Sequence, residues 1–496
     1  MRLMILCLML IGSSLAAQSH QPEKSAALGI TPSDIIRRVA VIADDSMLGR
    51  GTPSRGVELT AAYVASEFRR AGLRPGGDHG SYLQRFRISR WVIDPARSSV
   101  QFTAGATNAT TRVGRDARYI DGQIPEDPIR GPLVLVGPGD STESVTNRIV
   151  LLAPDISRPI TPAFNDRVLH LAAAGAKAIL ILSNRDSAAF ADRLRVAETP
   201  RWSRDLEPAS TLAPILEVHE RTLGQVLTHA GIDPGRLRGS EPVEKSLRGL
   251  TVEIRLMKKV LTNVEASNVV GILDGSDPSL RHEYLSFSAH IDHIGITPGL
   301  RDSVNNGADD NASGVAGLLE LVEAFTAGQH PRRSLVFLAP GAEEPGLLGS
   351  AHFTEHPPVP LRAIVADINM DLIGRNWPDS VIAVGIDQSS LGETLSRVVQ
   401  AHGELRMTPI ADRWPEERIF YRSDHYNFAR RGVPILFFTS GTHADYHRPT
   451  DEPDRIDGEK ESRLVRLLYY LGAEIAGSDS RPQWFPGSYK QIVQSP

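Results

Sequence analysis

The chain holds one cysteine among 496 residues, Cys7. A disulfide framework is therefore excluded. Stability has to come from packed cores, with bound metal as the remaining kind of cross-link. Positive charge is not in excess either. Lys and Arg number 54 against 59 Asp and Glu, for a net charge of -5 and a pI near 6.3. Nucleic-acid binders carry a basic footprint, so that class is excluded, as is a polybasic membrane patch. No apolar run reaches the roughly 18 residues that a membrane span needs. Internal repeats and low-complexity tracts are absent. What is present is ordinary globular composition, 41% hydrophobic and 23% charged, in a chain long enough for two to four domains.

The N-terminus "MRLMILCLMLIGSSLAAQS" has one Arg, an apolar run from Leu3 to Ile11, and small residues from Gly12 onward. This is the pattern of a secretory signal peptide, cleaved after Ala16 or Ala17, so residues 1–17 are expected to be removed. Cys7 lies inside that run, and the mature chain then has no cysteine. An exported protein without disulfides fits a periplasm or a bacterial exterior.

"TPSDIIRRVAVIADDSMLG" places Ile35, Ile36, Val39 and Ile42 at helical spacing, with Thr31 or Ser33 as the cap. "GVELTAAYVASEFRRAGLRPGG" is a second helix, stopped at Gly72. The texture changes near residue 120. "GPLVLVG", "RIVLLAP" and "LAPILEV" read as short strands, and "DRVLHLAAAGAKAILILSN" as helix, Gly turn and strand. Residues 120–255 are expected to be an inserted β-rich domain. Residues 18–119 and 256–476 then form one catalytic domain, and 477–496 a tail. Within 256–476, "SNVVGIL", "EYLSFSAH", "RSLVFLA", "RAIVADINMD" and "VPILFFTSG" are strand candidates alternating with helices such as "SGVAGLLELVEAFTAG". That rhythm predicts an α/β fold, a mainly parallel sheet flanked by helices.

Polar residues gather where these segments stop. His290 and Asp292 follow "EYLSFSA"; Asp309 and Asp310 precede a helix; Glu343 and Glu344 follow "SLVFLA"; Asp371 follows "RAIVADINM"; Tyr446 and His447 follow "VPILFFTSG". Ligands of open α/β sheets bind beyond the carboxyl ends of the strands. Each piece alone has a plainer reading: a helix cap, a solvated Glu-Glu face, a turn Asp, a surface His. Together they suit metal chemistry, because imidazole and carboxylate are zinc ligands. Two His and three carboxylates exceed what one zinc with an open position needs. They suffice for two zincs that share a bridging carboxylate.

"AHIDHIG", "GADDNASG", "AEEPGLLGS", "INMDLIGR" and "DYHRPTDEPDRI" together resemble the M28 metallopeptidases, a family of two-zinc aminopeptidases and carboxypeptidases. "DSMLGRGTPSRGVELTAAYVASEFRRAGLRPGGDHGSYLQRF" resembles the start of members with an inserted protease-associated (PA) domain, and "HLAAAGAKAILIL" resembles that domain. The resemblance implies two Zn2+ ions and a peptide substrate. It gives His290 and Asp371 to one zinc, Glu344 and His447 to the other, and Asp310 to both, with a cis Asp310–Asn311 peptide. Asp292 would accept a hydrogen bond from His290 and fix its tautomer. Glu343 would be general base and acid. Tyr446 would support the oxyanion, and Ser423 and Asp424 would line the substrate site. His282, His293, His352, His356, His425 and His443 receive no ligand role, and the "NAS" at 311–313 is site architecture and not a glycosylation acceptor. Aminopeptidase is the favoured activity. A glutamate carboxypeptidase-like dipeptidase would need Arg375, Arg413 or Arg422 aimed at a substrate carboxylate. A non-enzymatic scaffold would have lost ligands, and a glutaminyl cyclase-like acyltransferase would not carry Tyr446-His447 or the insert.

Overall fold

The structure is a computed structural model that describes residues 23–136, 145–152, 162–183, 185–197, 199–204, 212–229 and 246–494. The expected signal peptide and Cys7 lie outside the described residues. The chain divides into two compact units, Met1–Arg87 with Val264–Pro496, and Ile88–Asn263.

The first unit is built on strands β1 (Lys258–Leu273), β2 (Tyr284–Ser288), β3 (Ser334–Ala339), β4 (Ile364–Met370), β5 (Ser380–Val384), β6 (Thr408–Ile410) and β7 (Ile435–Thr439). They lie in the order β6-β5-β7-β4-β2-β3-β1. The central four, β7, β4, β2 and β3, are mutually parallel. β1 joins β3 antiparallel, and β5 joins β7 antiparallel. β3 explains why its sequence is apolar throughout. All six residues of "SLVFLA" are buried. Leu335 and Phe337 face one core, Val336 and Leu338 the other, as a strand covered on both faces requires.

One face is covered by α1 (Pro32–Ile42), α2 (Arg55–Arg70), α3 (Gly314–Ala327), α5 (Leu391–Ala401) and α7 (Gly458–Gly477), the other by α4 (Leu348–Glu355) and α6 (His425–Ala429). α1 follows its sequence closely. Thr31 caps it by accepting from the Asp34 amide, Pro32 opens it, and Ile35, Val39 and Ile42 form its buried stripe. Among the described residues no helix is long and apolar enough to cross a membrane.

The second unit holds an eight-stranded mixed sheet in the order Thr107–Arg112, Ser99–Ala104, Ser246–Arg255, Ile129–Val136, Ile149–Leu152, Ala178–Ser183, Ile215–His219, Ala117–Asp121. The expected helix-turn-strand is there, with Gly175 at φ +85° between Pro162–Ala173 and Ala178–Ser183. The boundaries differ from those expected at 120 and 255. Ser99–Ala104 pairs with Ser246–Arg255 from Ala104↔Leu250 to Ser99↔Arg255, so residues before 120 belong to this sheet. Their Thr, Ser and Asn content hid the strands, although Val100, Phe102 and Ala104 alternate into the core of the second unit. The segment expected as a tail is also part of the first unit. Trp484 and Ile492 pack against its core, and the Trp484 indole donates to the Gly432 carbonyl at 3.0 Å.

Candidate metal centre

All four central strands end on the same side, so the residues following β2, β3, β4 and β7 converge there. Between α1 and α3 the chain supplies the remaining donor from the turn Ala308–Ser313, where the Asp310–Asn311 peptide is cis, as the resemblance implied. Asn311 anchors this turn. Its amide donates to the Met370 carbonyl at 2.9 Å and its carbonyl oxygen accepts from the Gly314 amide at 3.0 Å. Asn311 is 1% exposed, so the "NAS" is site architecture, as expected.

Two donor groups result. His290, Glu343 and Asp371 form one; His293, Asp310, Glu344 and His447 form the other. His290 Nε2 lies 3.3 Å from Asp371 Oδ1 and 3.6 Å from Asp310 Oδ1. His447 Nε2 lies 3.1 Å from Asp310 Oδ2 and 3.4 Å from Glu344 Oε2. Asp310 thus turns one oxygen to each group, the geometry of a bridge. Tetrahedral zinc with bonds of about 2.0–2.1 Å spaces its ligands by roughly 3.3–3.4 Å, which these separations bracket. Asp371 Oδ1 and His447 Nε2 are buried and make no aligned hydrogen bond. Atoms that approach without bonding each other, around shared points, fit a pair of cations.

The electrostatics say the same. Burial pushes the Asp310 carboxyl up, and the adjacent Glu344 adds to it. Burial also raises Glu343 well above the carboxylate range; His290 opposes this, while Glu344, Asp424 and Asp371 add to it. Glu344 is held low despite burial, because the His293 and His447 imidazoles lie against it. So many carboxylates cannot all ionise side by side without positive charge among them.

Three expectations need correction. His290 Nδ1 meets the backbone carbonyl of Asp292 at 3.1 Å, not its carboxylate. A carbonyl only accepts, so Nδ1 carries the proton and Nε2 is free to bind metal. The Asp292 carboxylate instead accepts the Glu343 amide at 3.0 Å and the Thr52 hydroxyl at 3.0 Å, fixing the turn that carries the Glu pair. Ser423 and Asp424 are not among the residues that line the cavity holding the donors. Both are enclosed, at 1% and 0% exposure, and the Asn369 amide donates to the Ser423 hydroxyl at 2.9 Å. The residue of this segment that reaches the site is Arg422. His293, finally, was left without a role, yet its Nδ1 meets Glu344 Oε1 at 2.9 Å and lies 3.6 Å from Asp310 Oδ2. The signal was its place next to "HID", directly beyond a strand end.

The donors open into a cavity of about 300 Å³ lined also by Gly346, Leu347, Leu372, Arg422 and Tyr446. The Tyr446 ring stacks on His447 with centroids 3.9 Å apart. A second cavity of about 230 Å³ shares Asp371, Leu372, Arg422 and Tyr446, and adds Trp377, Ile382, Trp414, Ile419 and Phe437. The Trp377 and Trp414 rings are parallel within 2°, 6.0 Å apart. Of the three arginines considered from sequence, Arg375 is turned away and bound to Asp445 at 2.9 Å. Arg413 lines neither cavity. Arg422 lies 3.6 Å from Glu417.

A parallel α/β sheet with imidazoles and carboxylates gathered at its strand ends is the framework of a metallopeptidase, and residues 268–471 match Peptidase family M28. The chain is an M28-like zinc metallopeptidase. It is 26% identical to "Aminopeptidase YwaD" of Bacillus subtilis over 379 residues, 72% of this chain and 70% of that one. It is 30% identical to "Leupeptin-inactivating enzyme 1" of Streptomyces exfoliatus over 206 residues, 41% of this chain and 42% of that one. The solved aminopeptidase from Aneurinibacillus sp. strain AM-1 shares the fold, with a TM-score of 0.50, 18% identity, and coverage of 91% of this chain and 95% of that one.

Proposed function

We propose that the protein is an exported two-zinc aminopeptidase that removes large apolar residues from the N-termini of peptides. The observation that carries this is the junction of the two cavities. Two donor groups that share Asp310 sit at the wall of an apolar chamber of side-chain size. His290, Asp371 and Asp310 would hold one zinc, and His293, His447, Glu344 and Asp310 the other. Zinc in such a site lowers the pKa of water towards neutrality and polarises a carbonyl. Glu343, in the same cavity, takes the proton from the attacking water and delivers it to the leaving amine. Burial raises the Tyr446 phenol, so it keeps its proton and can donate a hydrogen bond to the developing oxyanion. Trp377, Trp414, Ile382 and Phe437 receive the N-terminal side chain.

The pairing of Arg422 with Glu417 supports an aminopeptidase over a carboxypeptidase, because a neighbouring carboxylate already answers the guanidinium. The apolar N-terminal run of the precursor supports export, and the second unit is assigned as the PA domain. The test is an assay of the purified protein on Leu- and Phe-aminoacyl anilides and their N-acetylated forms, with and without chelator. Cleavage of the free-amine substrates alone, abolished by chelation, is expected. Equal cleavage of the blocked substrates would overturn the aminopeptidase assignment.

A further inference from the structure

Arg50 ends the short turn Asp45–Arg50, some 240 residues before the first metal donor in sequence, and is 1% exposed. Among the described residues it makes no ion pair. Its guanidinium instead donates to five backbone carbonyls. Nε reaches Ile291 at 3.0 Å. Nη1 reaches Ile42 at 3.0 Å and Asn306 at 2.6 Å. Nη2 reaches Gly307 at 2.8 Å and Asp310 at 3.3 Å. A guanidinium has five N–H donors, so all are used. Four of the five acceptors are the chain around metal donors. Ile291 follows His290, and Asn306, Gly307 and Asp310 form the loop that presents the bridging carboxylate.

The rest of the segment runs along the same loops. The Arg50 carbonyl accepts the His293 amide at 3.2 Å, and the Gly49 carbonyl accepts the Gly295 amide at 2.9 Å. The approach is so close that a Cβ on Gly49 would lie 2.5 Å from the Asn305 oxygen. From the other side, Asp451 Oδ2 accepts the amides of Asp309 and Asp310 at 3.0 and 3.2 Å. A planar five-donor fork can span two loops in a way an ammonium cannot.

We propose that Arg50 is a positioning residue of the metal centre: it sets the spacing of His290 and Asp310 before metal arrives and places a permanent positive charge behind the carboxylates. This rests on the reading that these residues hold metal, not on which peptide is cleaved. The test uses Arg50→Met and Arg50→Lys in the full chain, with folding checked by circular dichroism and zinc dissociation constants measured by competition with a chromogenic chelator. Outer partners of metal ligands are typically worth 10–100-fold in metal affinity. That loss is expected for at least one zinc in Arg50→Met, with Arg50→Lys recovering only part of it. A folded Arg50→Met that binds both zincs within twofold of wild type overturns the proposal. If Arg50→Met does not fold, amide exchange in the unaltered protein decides. The amides of Asn305, Ala308, Asp309 and Asp310 should stay protected after zinc is stripped. Exchange at exposed-loop rates in the stripped protein overturns the proposal. Neither readout uses peptide turnover, so a protein that binds zinc but cleaves no peptide would fail the functional reading and leave this one standing.

Discussion

Replacing Glu343 by Gln separates the base from the ligands. Gln matches Glu in shape, so the enclosed site, 8% exposed at this residue, is not emptied. The Glu343 amide bond to Asp292 at 3.0 Å is a backbone contact and survives the change. What is lost is a carboxylate able to accept a proton. General acid–base catalysis contributes roughly 10²–10⁴-fold. At about 1.36 kcal/mol per decade, that is about 2.7–5.4 kcal/mol of barrier, and kcat should fall by that factor. KM should move less than about threefold, because Glu343 is not part of the apolar chamber. Steady-state rates on a Leu-anilide at saturating zinc, read with zinc per chain by elemental analysis, make the test. Activity above roughly a tenth of wild type would sink the base assignment, since less than one decade would then rest on this group. Loss of a zinc equivalent would refute it differently. Glu343 lies in one donor group with His290 and Asp371, and it would then be a ligand.

His447→Ala should lower zinc per chain in elemental analysis, and unchanged stoichiometry would mean that the second group is wrongly drawn. His293→Ala should weaken zinc binding at the second group, because it removes one of that group's donors, measured by chelator competition. Trp414→Ala should cut kcat/KM for Phe- and Leu-anilides by about tenfold while sparing the Ala-anilide, since a trimmed apolar pocket is worth 1–3 kcal/mol. Asp367→Asn addresses pH. Burial holds the Asp367 carboxyl up at about 7, with Asp424 adding and the Ser286 and Ser288 hydroxyls opposing. Between about 4 and 7 the native state therefore binds a proton that the unfolded chain has lost, and stability falls as pH rises through that window. Asn removes the slope, so the variant should match wild type near pH 4 and exceed it at pH 8 by as much as ~4 kcal/mol, read from urea unfolding with zinc present.

The sheet was legible because its central strands are buried on both faces, and "SLVFLA" or "VPILFFT" can be little else. Most donors were legible because they follow such a strand, and Asp310 because it stands just before the helix after β2. His293 was not. Its neighbour His290 satisfied the motif, and a place five residues past a strand end does not by itself tell which way the side chain will turn. Arg50 was hidden for a different reason. Its partners are carbonyls, and carbonyls leave no trace in a sequence. Asp292 failed in a third way: the contact to His290 exists, but the backbone makes it. Strands 99–112 were missed because Ser99–Ala104 finds its partner Ser246–Arg255 about 150 residues on, while Thr107–Arg112 is a polar edge strand paired, among the described residues, only with Ser99–Ala104.

The adjacent pair Glu343-Glu344 ties these elements together. One peptide step turns the two side chains to opposite groups, Glu343 to His290 and Asp371, Glu344 to His293 and His447. The donor counts are then unequal. The Glu344 side has two imidazoles and two carboxylates, enough donors to fill a four-coordinate zinc if one were held there. The His290 side has one imidazole, Asp371 and a share of Asp310 once Glu343 is set aside as the proposed base. Catalytic zinc keeps one position for water, and structural zinc does not. On the proposed reading, the reacting water would belong on the His290 side, in the cavity that Glu343 lines. That is also the side whose Asp371 forms part of the wall of the apolar chamber. On that reading the base, the water and the side chain that selects the peptide would meet along one edge of the site, while the Glu344 side would fix Asp310 and hold a second positive charge.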